Sequence, residues 1–249
     1  ALARLVLHVP SSAARASLLR EGGLQPLLEL AVLAEPFDAD DADEAAAAAA
    51  AESTIDLVAK SQFEREWHRE LRALAAAALL ALSAKESTRA ALMSGGGPFR
   101  LLELAAASDA AVARCGVAAL RNLSEPEETR AQLLAEPGLL QGLFNLACAD
   151  DPDVQRDSLI ALMLLATVTS HRAAFVQLLP ALPFAQLCGT CLVEIEHACA
   201  RLLFLVARAG VHPRSYQFNC GVCTPSQKLA YRFMLNYIAL QSKIWLPPS

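Results

Sequence analysis

At 249 residues the chain can bury a substantial core, and a composition 55% apolar but only 6% aromatic favours packed helices over a sheet rich in β-branched and ring side chains. A net charge of −5, with Lys and Arg scattered along the chain, supplies no field that gathers phosphates, so nucleic acid is not an expected partner. The longest apolar runs, Ala73 to Leu82 and Ser158 to Thr167, fall short of the roughly 20 residues that cross a bilayer, so no transmembrane segment is expected.

Four arginines head comparable segments: Arg15, Arg89, Arg130 and Arg172. The last three are 41 and 42 residues apart, and the first gap of 74 is one repeat plus an insertion of about 33 residues, a period that fits a helical solenoid. Eight positions after the first three arginines stand Gly23, Gly97 and Gly138, with Pro180 in the fourth unit, and Leu-rich segments begin at Leu27, Leu101 and Leu143. Gly or Pro breaks a short first helix and turns the chain into a second helix with a Leu stripe. A third helix precedes the next arginine, over Asp109 to Ser124, Pro152 to Thr167 and Val193 to Val206.

In chain order, residues 1–14 read as the end of a preceding repeat, since Leu7 aligns with Asn122. Further repeats or a capping partner are expected upstream, and a start at Ala1 without leader features suggests a trimmed product. Residues 15–88 form a repeat carrying an insertion at about 35–68. The insertion holds the acidic run Asp38 to Glu44, seven alanines and FEREWHRE, and part of it is expected to form an extra helix. Repeats follow at 89–129, 130–171 and 172–213, so that repeats fill 1–207. A degenerate unit covers 214–249, where Thr224, Pro225 and Gln227 start a helix to about Ile244 with Leu229, Phe233, Tyr237, Leu240 and Ile244 as its apolar stripe.

The stretch GGGPFRLLELAAASDAAVARCGVAALRNLSEPEETR, residues 95 to 130, resembles the armadillo repeat family in its glycine turn, Leu-rich second helix, polar break and long third helix ending in Asn-Leu-Ser. The resemblance covers most of 1–207 and implies an all-α, right-handed armadillo-type α-solenoid, here with an Ala- and acid-rich insertion and a long C-terminal helix. It also implies a concave groove lined by the third helices. Of the Trp and Asn ladder with which some members grip basic peptides, only Asn122 is present. Leu7, Ala81, Leu164 and Val206 fill the other Asn positions, and Ala3, Ala77, Ala118, Ile160 and Leu202 fill those of Trp.

The expected groove side chains are therefore Arg114, Arg121, Asn122, Arg156, Ile160 and Met163, a set suited to an apolar helix with an acidic edge. Tyr231, Tyr237 and Trp245 supply amphipathic anchors in the aromatic C-terminal helix, which caps the solenoid, docks a partner, or does both.

Seven cysteines are an odd number with no disulfide framework, which points to a reducing intracellular compartment, cytoplasmic or organellar. The pairs Cys188/Cys191 and Cys220/Cys223 have the Cys-x-x-Cys spacing of zinc or redox sites, but the 28 residues between them exceed usual ribbon spacing, and unliganded thiols are the default. Cys115, Cys148 and Cys199 read as small core residues.

The five histidines lack ligand partners at helical spacing, GGGPF lacks the Lys-Ser/Thr of a phosphate loop, and there is no nucleophile elbow or dinucleotide fingerprint. No enzyme and no cofactor is expected. The sequence reads as an interaction scaffold, a structural subunit of a larger assembly, with a zinc- or redox-responsive adaptor and a peptide-cargo adaptor as the alternatives.

Overall fold

The computed structural model describes residues 22–31, 54–179, 182, 187 and 193–207. Every regular element among them is a helix, and the chain divides at Ala119/Leu120 into two compact units. The expected end of an upstream repeat, Arg15, the acidic and Ala-rich run, both Cys-x-x-Cys pairs and the aromatic C-terminal helix lie outside the described residues.

In the first unit, α1 (Leu24–Ala31) buries Leu24, Leu27, Leu28 and Ala31 against α2 (Thr54–Ser83). Arg72 on α2 donates to the carbonyl of Ala31 at 3.3 Å, closing the end of α1. The 30 residues of α2 correct the expectation of an extra helix within the insertion. No Gly or Pro interrupts Thr54 to Ser83, so the later part of the insertion continues into the third helix and lengthens it by some four turns. Residues 65–70 on this extension are exposed, Trp67 among them at 51%. Next come α3 (Glu86–Ser94), α4 (Gly97–Ala105) and α5 (Ala110–Ser124), the complete three-helix unit that the period predicts.

The second unit begins in the last turn of α5 and repeats the plan with α6 (Glu127–Ala135), α7 (Leu139–Leu146) and α8 (Pro152–Leu165). A 3-10 turn (Thr169–His171) leads into α9 (Arg172–Leu178), and α10 (Val193–Ala207) is the last described helix, packed on α8 and α9. Asp109 accepts from the backbone N–H groups of Ala111 and Val112, and Asp151 from those of Asp153 and Val154, so α5 and α8 both start on an aspartate cap. The turns into α4 and α7 pass through Gly96 and Gly138 at φ 71° and 78°, a left-handed backbone that costs other residues. In the first complete unit the left-handed glycine is thus Gly96, one residue before the Gly97 that the spacing marks.

The heading arginines have a structural task. The Nε groups of Arg89, Arg130 and Arg172 donate to the carbonyls of Ser83, Ser124 and Ala166 at 2.8, 2.9 and 3.3 Å, in each case six residues back. Arg89 also reaches Ala84 O at 3.4 Å, Arg130 reaches Glu125 O at 2.6 Å and Thr167 Oγ1 at 3.0 Å, and the preceding Thr88 and Thr129 bond Leu82 O and Leu123 O. These are the carbonyls that a helix leaves without intrahelical donors, so the Arg spacing marks the joint after every third helix.

Burial follows the same period. Ala75, Gly116, Ser158 and Cys199 form one row of small buried positions, and Leu79, Leu120, Leu162 and Leu203 another of large ones. A methyl on Gly116 lies 2.6 Å from the Ala105 nitrogen and 2.9 Å from the Leu101 carbonyl oxygen, so α5 sits on α4 at a distance that only glycine permits. From α8 to α10 the step is 41 residues, which corrects the expected ladder. Leu202 and Val206 are buried at 0% and 1%, and Arg201 and Leu205 take the outward positions expected of them.

Gly116→Ala is expected to lower stability by about 1–3 kcal/mol, because the clash is with backbone rather than with a movable side chain. Arg130→Ala is expected to cost about 2 kcal/mol through unsatisfied carbonyls, and Arg130→Lys to recover only part, since a lysine lacks the fork that reaches two of them. Urea denaturation of each variant checks both.

Candidate functional site

The outward face of the third helices in the second unit combines three features: an ion-pair network, an apolar strip and a rim of carboxylates. α8 presents Asp153, Arg156, Ile160, Met163 and Leu164 at helical spacing, all half-buried, and α10 presents Glu194, His197, Arg201 and Leu205. Arg121 and Asn122, on the last turn of α5, are half-buried as well.

Asp157 organises the charges. It is only 5% exposed, yet its Oδ1 accepts from Arg121 Nη1 at 3.3 Å and from Arg156 Nε at 3.1 Å. Arg156 also pairs with Asp153 at 2.9 Å and reaches Glu194 on α10 at 3.6 Å, and Arg121 lies 4.0 Å from Glu125. The hydrogen bond that Arg156 donates to Asp157, with the charges of Asp157, Asp153 and Glu194, raises the Arg156 pKa against the lowering effect of burial. The third helices α5, α8 and α10 are thereby stitched together by alternating charge.

This arrangement revises the sequence reading of the surface. Arg121 and Arg156 are expected to receive an acidic edge from a partner, but both are engaged by carboxylates of the chain itself. The charge left outward is that of Glu194, 72% exposed in its side chain, and of the partly exposed Asp153 and Glu125. Ile160 and Met163 are half-buried on α8. Arg114 is exposed on the part of α5 that belongs to the first unit. Tyr231, Tyr237 and Trp245 lie outside the described residues, as do Cys188, Cys191, Cys220 and Cys223.

Sequence reading missed Asp157 and Glu194. The signal for Asp157 was a lone acid at a position filled elsewhere by Cys115 and Ala198, a row too small in volume to stand out in one sequence. Cys115 is half-buried, and desolvation followed by the Asp109 charge raises its thiol pKa; burial raises that of Cys148. Among the described residues no cluster of side chains suits a metal ion, and no single helix is long and apolar enough to cross a membrane.

Asp157→Asn is expected to destabilise the chain by about 1.5–3 kcal/mol, since two guanidiniums lose their shared acceptor. Arg156→Ala is expected to cost less in that background than alone, a coupling that a double-mutant cycle by urea denaturation measures.

No protein-family model and no curated protein matches the sequence. Solved structures do resemble the fold. A designed armadillo repeat protein superposes with a TM-score of 0.55 at 16% identity over 100% of this chain and 94% of its own. A second, computationally designed for modular peptide recognition, gives 0.51 at 16% identity over 95% and 99%. A third, solved in complex with the peptide (KR)4, gives 0.50 at 14% identity over 95% and 99%. The Arg-headed helical period, the glycine turns and these superpositions together establish an all-α, armadillo-type repeat fold.

Proposed function

We propose that the chain is a non-catalytic protein-interaction module that serves as a structural or accessory subunit of a larger assembly, and that the outward face of α8 and α10 is where it seats a segment of its partner. The observation that carries this reading is the surface itself: Ile160, Met163, Leu164 and Leu205 form an apolar strip at helical spacing beside the Asp153 and Glu194 carboxylates. Such a strip fits a partner helix that lays down residues spaced three and four apart and carries Lys or Arg along one edge. Charge complementarity of this kind sets orientation and register, while burial of the apolar anchors supplies most of the affinity.

The fold supports the reading by analogy only: two of the similar designed proteins are described as made for, or solved with, peptides. The Trp and Asn ladder expected of an extended basic-peptide binder is not rebuilt by the corrected register, because Ile160 with Arg201 and Leu164 with Leu205 hold those positions on α8 and α10. A ligand gripped by side-chain packing is therefore favoured over one gripped through its backbone amides.

Selection of displayed random peptides on the intact protein tests this. Enriched peptides are expected to carry apolar residues at helical spacing with flanking Lys or Arg, and to bind Ile160→Glu or Leu205→Glu at least tenfold more weakly. Trp67→Ala, in the other unit, is expected to leave affinity unchanged. Equal binding to both face variants, with melting temperatures unchanged, overturns the reading.

A further inference from the structure

The outward row of α10 carries charge of both signs. Glu194, His197, Arg201 and Leu205 follow one another at spacings of three and four residues, and the first three are exposed. The row beside it on α8 runs Asp153, Arg156, Ile160 and Leu164, each 41 residues before its counterpart on α10.

The arginines of these two rows differ in what surrounds them. Arg156 is held by Asp153, Asp157 and Glu194 at 2.9, 3.1 and 3.6 Å. Arg201 is exposed, and no carboxylate among the described residues pairs with it. Its place is the counterpart of Ile160, two turns past Glu194, where the face changes from carboxylates to the strip of Ile160, Met163, Leu164 and Leu205. A segment that seats on this strip also takes water away from Arg201. A guanidinium desolvated without an acceptor opposes binding, so the occupant must bring one.

The spacing says where the acceptor belongs. Glu194 and Arg201 are seven residues apart on α10, a rise of roughly 10 Å. A helix laid along this face covers the same distance in about seven of its own residues, which returns it to the same side after two turns, with room between for apolar anchors at steps of three and four.

We infer that Arg201 sets the specificity of this face: it receives an Asp or Glu of the partner helix, placed two turns from the Lys or Arg that meets Asp153 and Glu194. This inference rests on the reading of the face as a partner seat, and it narrows the partner's chemistry. A helix that is basic along its whole edge sets a cation against Arg201 and is rejected, whereas one with a base, an acid two turns away and apolar residues beside them matches every charge.

Peptide selection on the intact protein, followed by binding measurements on synthetic peptides, tests the assignment. Enriched peptides are expected to carry an acid about seven residues from the basic residue, in either chain direction. Arg201→Glu is expected to weaken the tightest of them about tenfold or more, at an unchanged melting temperature, and Arg201→Gln less. The same peptide with its acid replaced by Lys is expected to bind Arg201→Glu better than it binds wild type, a reversal that a merely structural role of Arg201 does not produce. Peptides without an acid at that spacing, or a loss on Arg201→Glu that the charge-reversed peptide does not recover, overturn the inference.

Its failure is distinguishable from failure of the seat. A peptide weakened by Ile160→Glu or Leu205→Glu but bound normally by Arg201→Glu sustains the seat and removes Arg201 from it. Absence of any enriched peptide, or binding indifferent to all three substitutions, overturns both. Self-association of the chain that disappears in Arg201→Glu makes a second copy the occupant and likewise overturns the inference.

Discussion

A helix that stops leaves its last carbonyls without donors, and a repeat protein meets this problem at every joint. Here one side chain answers it each time. Arg89, Arg130 and Arg172 turn back six residues to the end of the preceding third helix, and Thr88 and Thr129 close the neighbouring carbonyl in the two complete units. The first helix of each unit is thereby fastened to the third helix before it. Because the fork spans two carbonyls, direction as well as distance is set, and the second helix can then return with its Leu stripe inward.

Close packing is the second condition. Where Gly116 stands, α5 approaches the backbone of α4 more nearly than any side chain allows, and at the equivalent positions Ala75, Ser158 and Cys199 are small and buried. Ser158 satisfies its own hydroxyl by donating to Val154 O at 2.6 Å, so a polar residue enters the row without leaving an orphan group. The rows of Leu beside it contribute about 1.5–3 kcal/mol per side chain buried, and they repeat at the same 41 or 42 residues.

The surface chemistry of the second unit depends on a departure from that regularity. Asp157 occupies a position where the flanking repeats hold Cys115 and Ala198, and a buried carboxylate there is tolerable only because two guanidiniums and their further acids surround it. The network consumes the arginines internally and leaves the rim negative. A face whose arginines read as basic in the sequence is for that reason acidic at one end.

Much of the fold was legible in the sequence, since period, turn residues and apolar spacing are local properties that survive in a single chain. The spacing of Arg89, Arg130 and Arg172 marked the third helices α5, α8 and α10, which end within two residues of Ser124, Thr167 and Val206. The tertiary structure decided what depends on neighbours distant in sequence. That Arg121 and Arg156 share Asp157, that Leu202 and Val206 turn inward while Arg201 and Leu205 turn out, and that the insertion continues as one helix from Thr54 were all settled by packing between helices. A one-residue change in repeat length rotates a helix by about 100°, and a charge pair 36 residues apart leaves no periodic trace, so neither can be read without the third dimension.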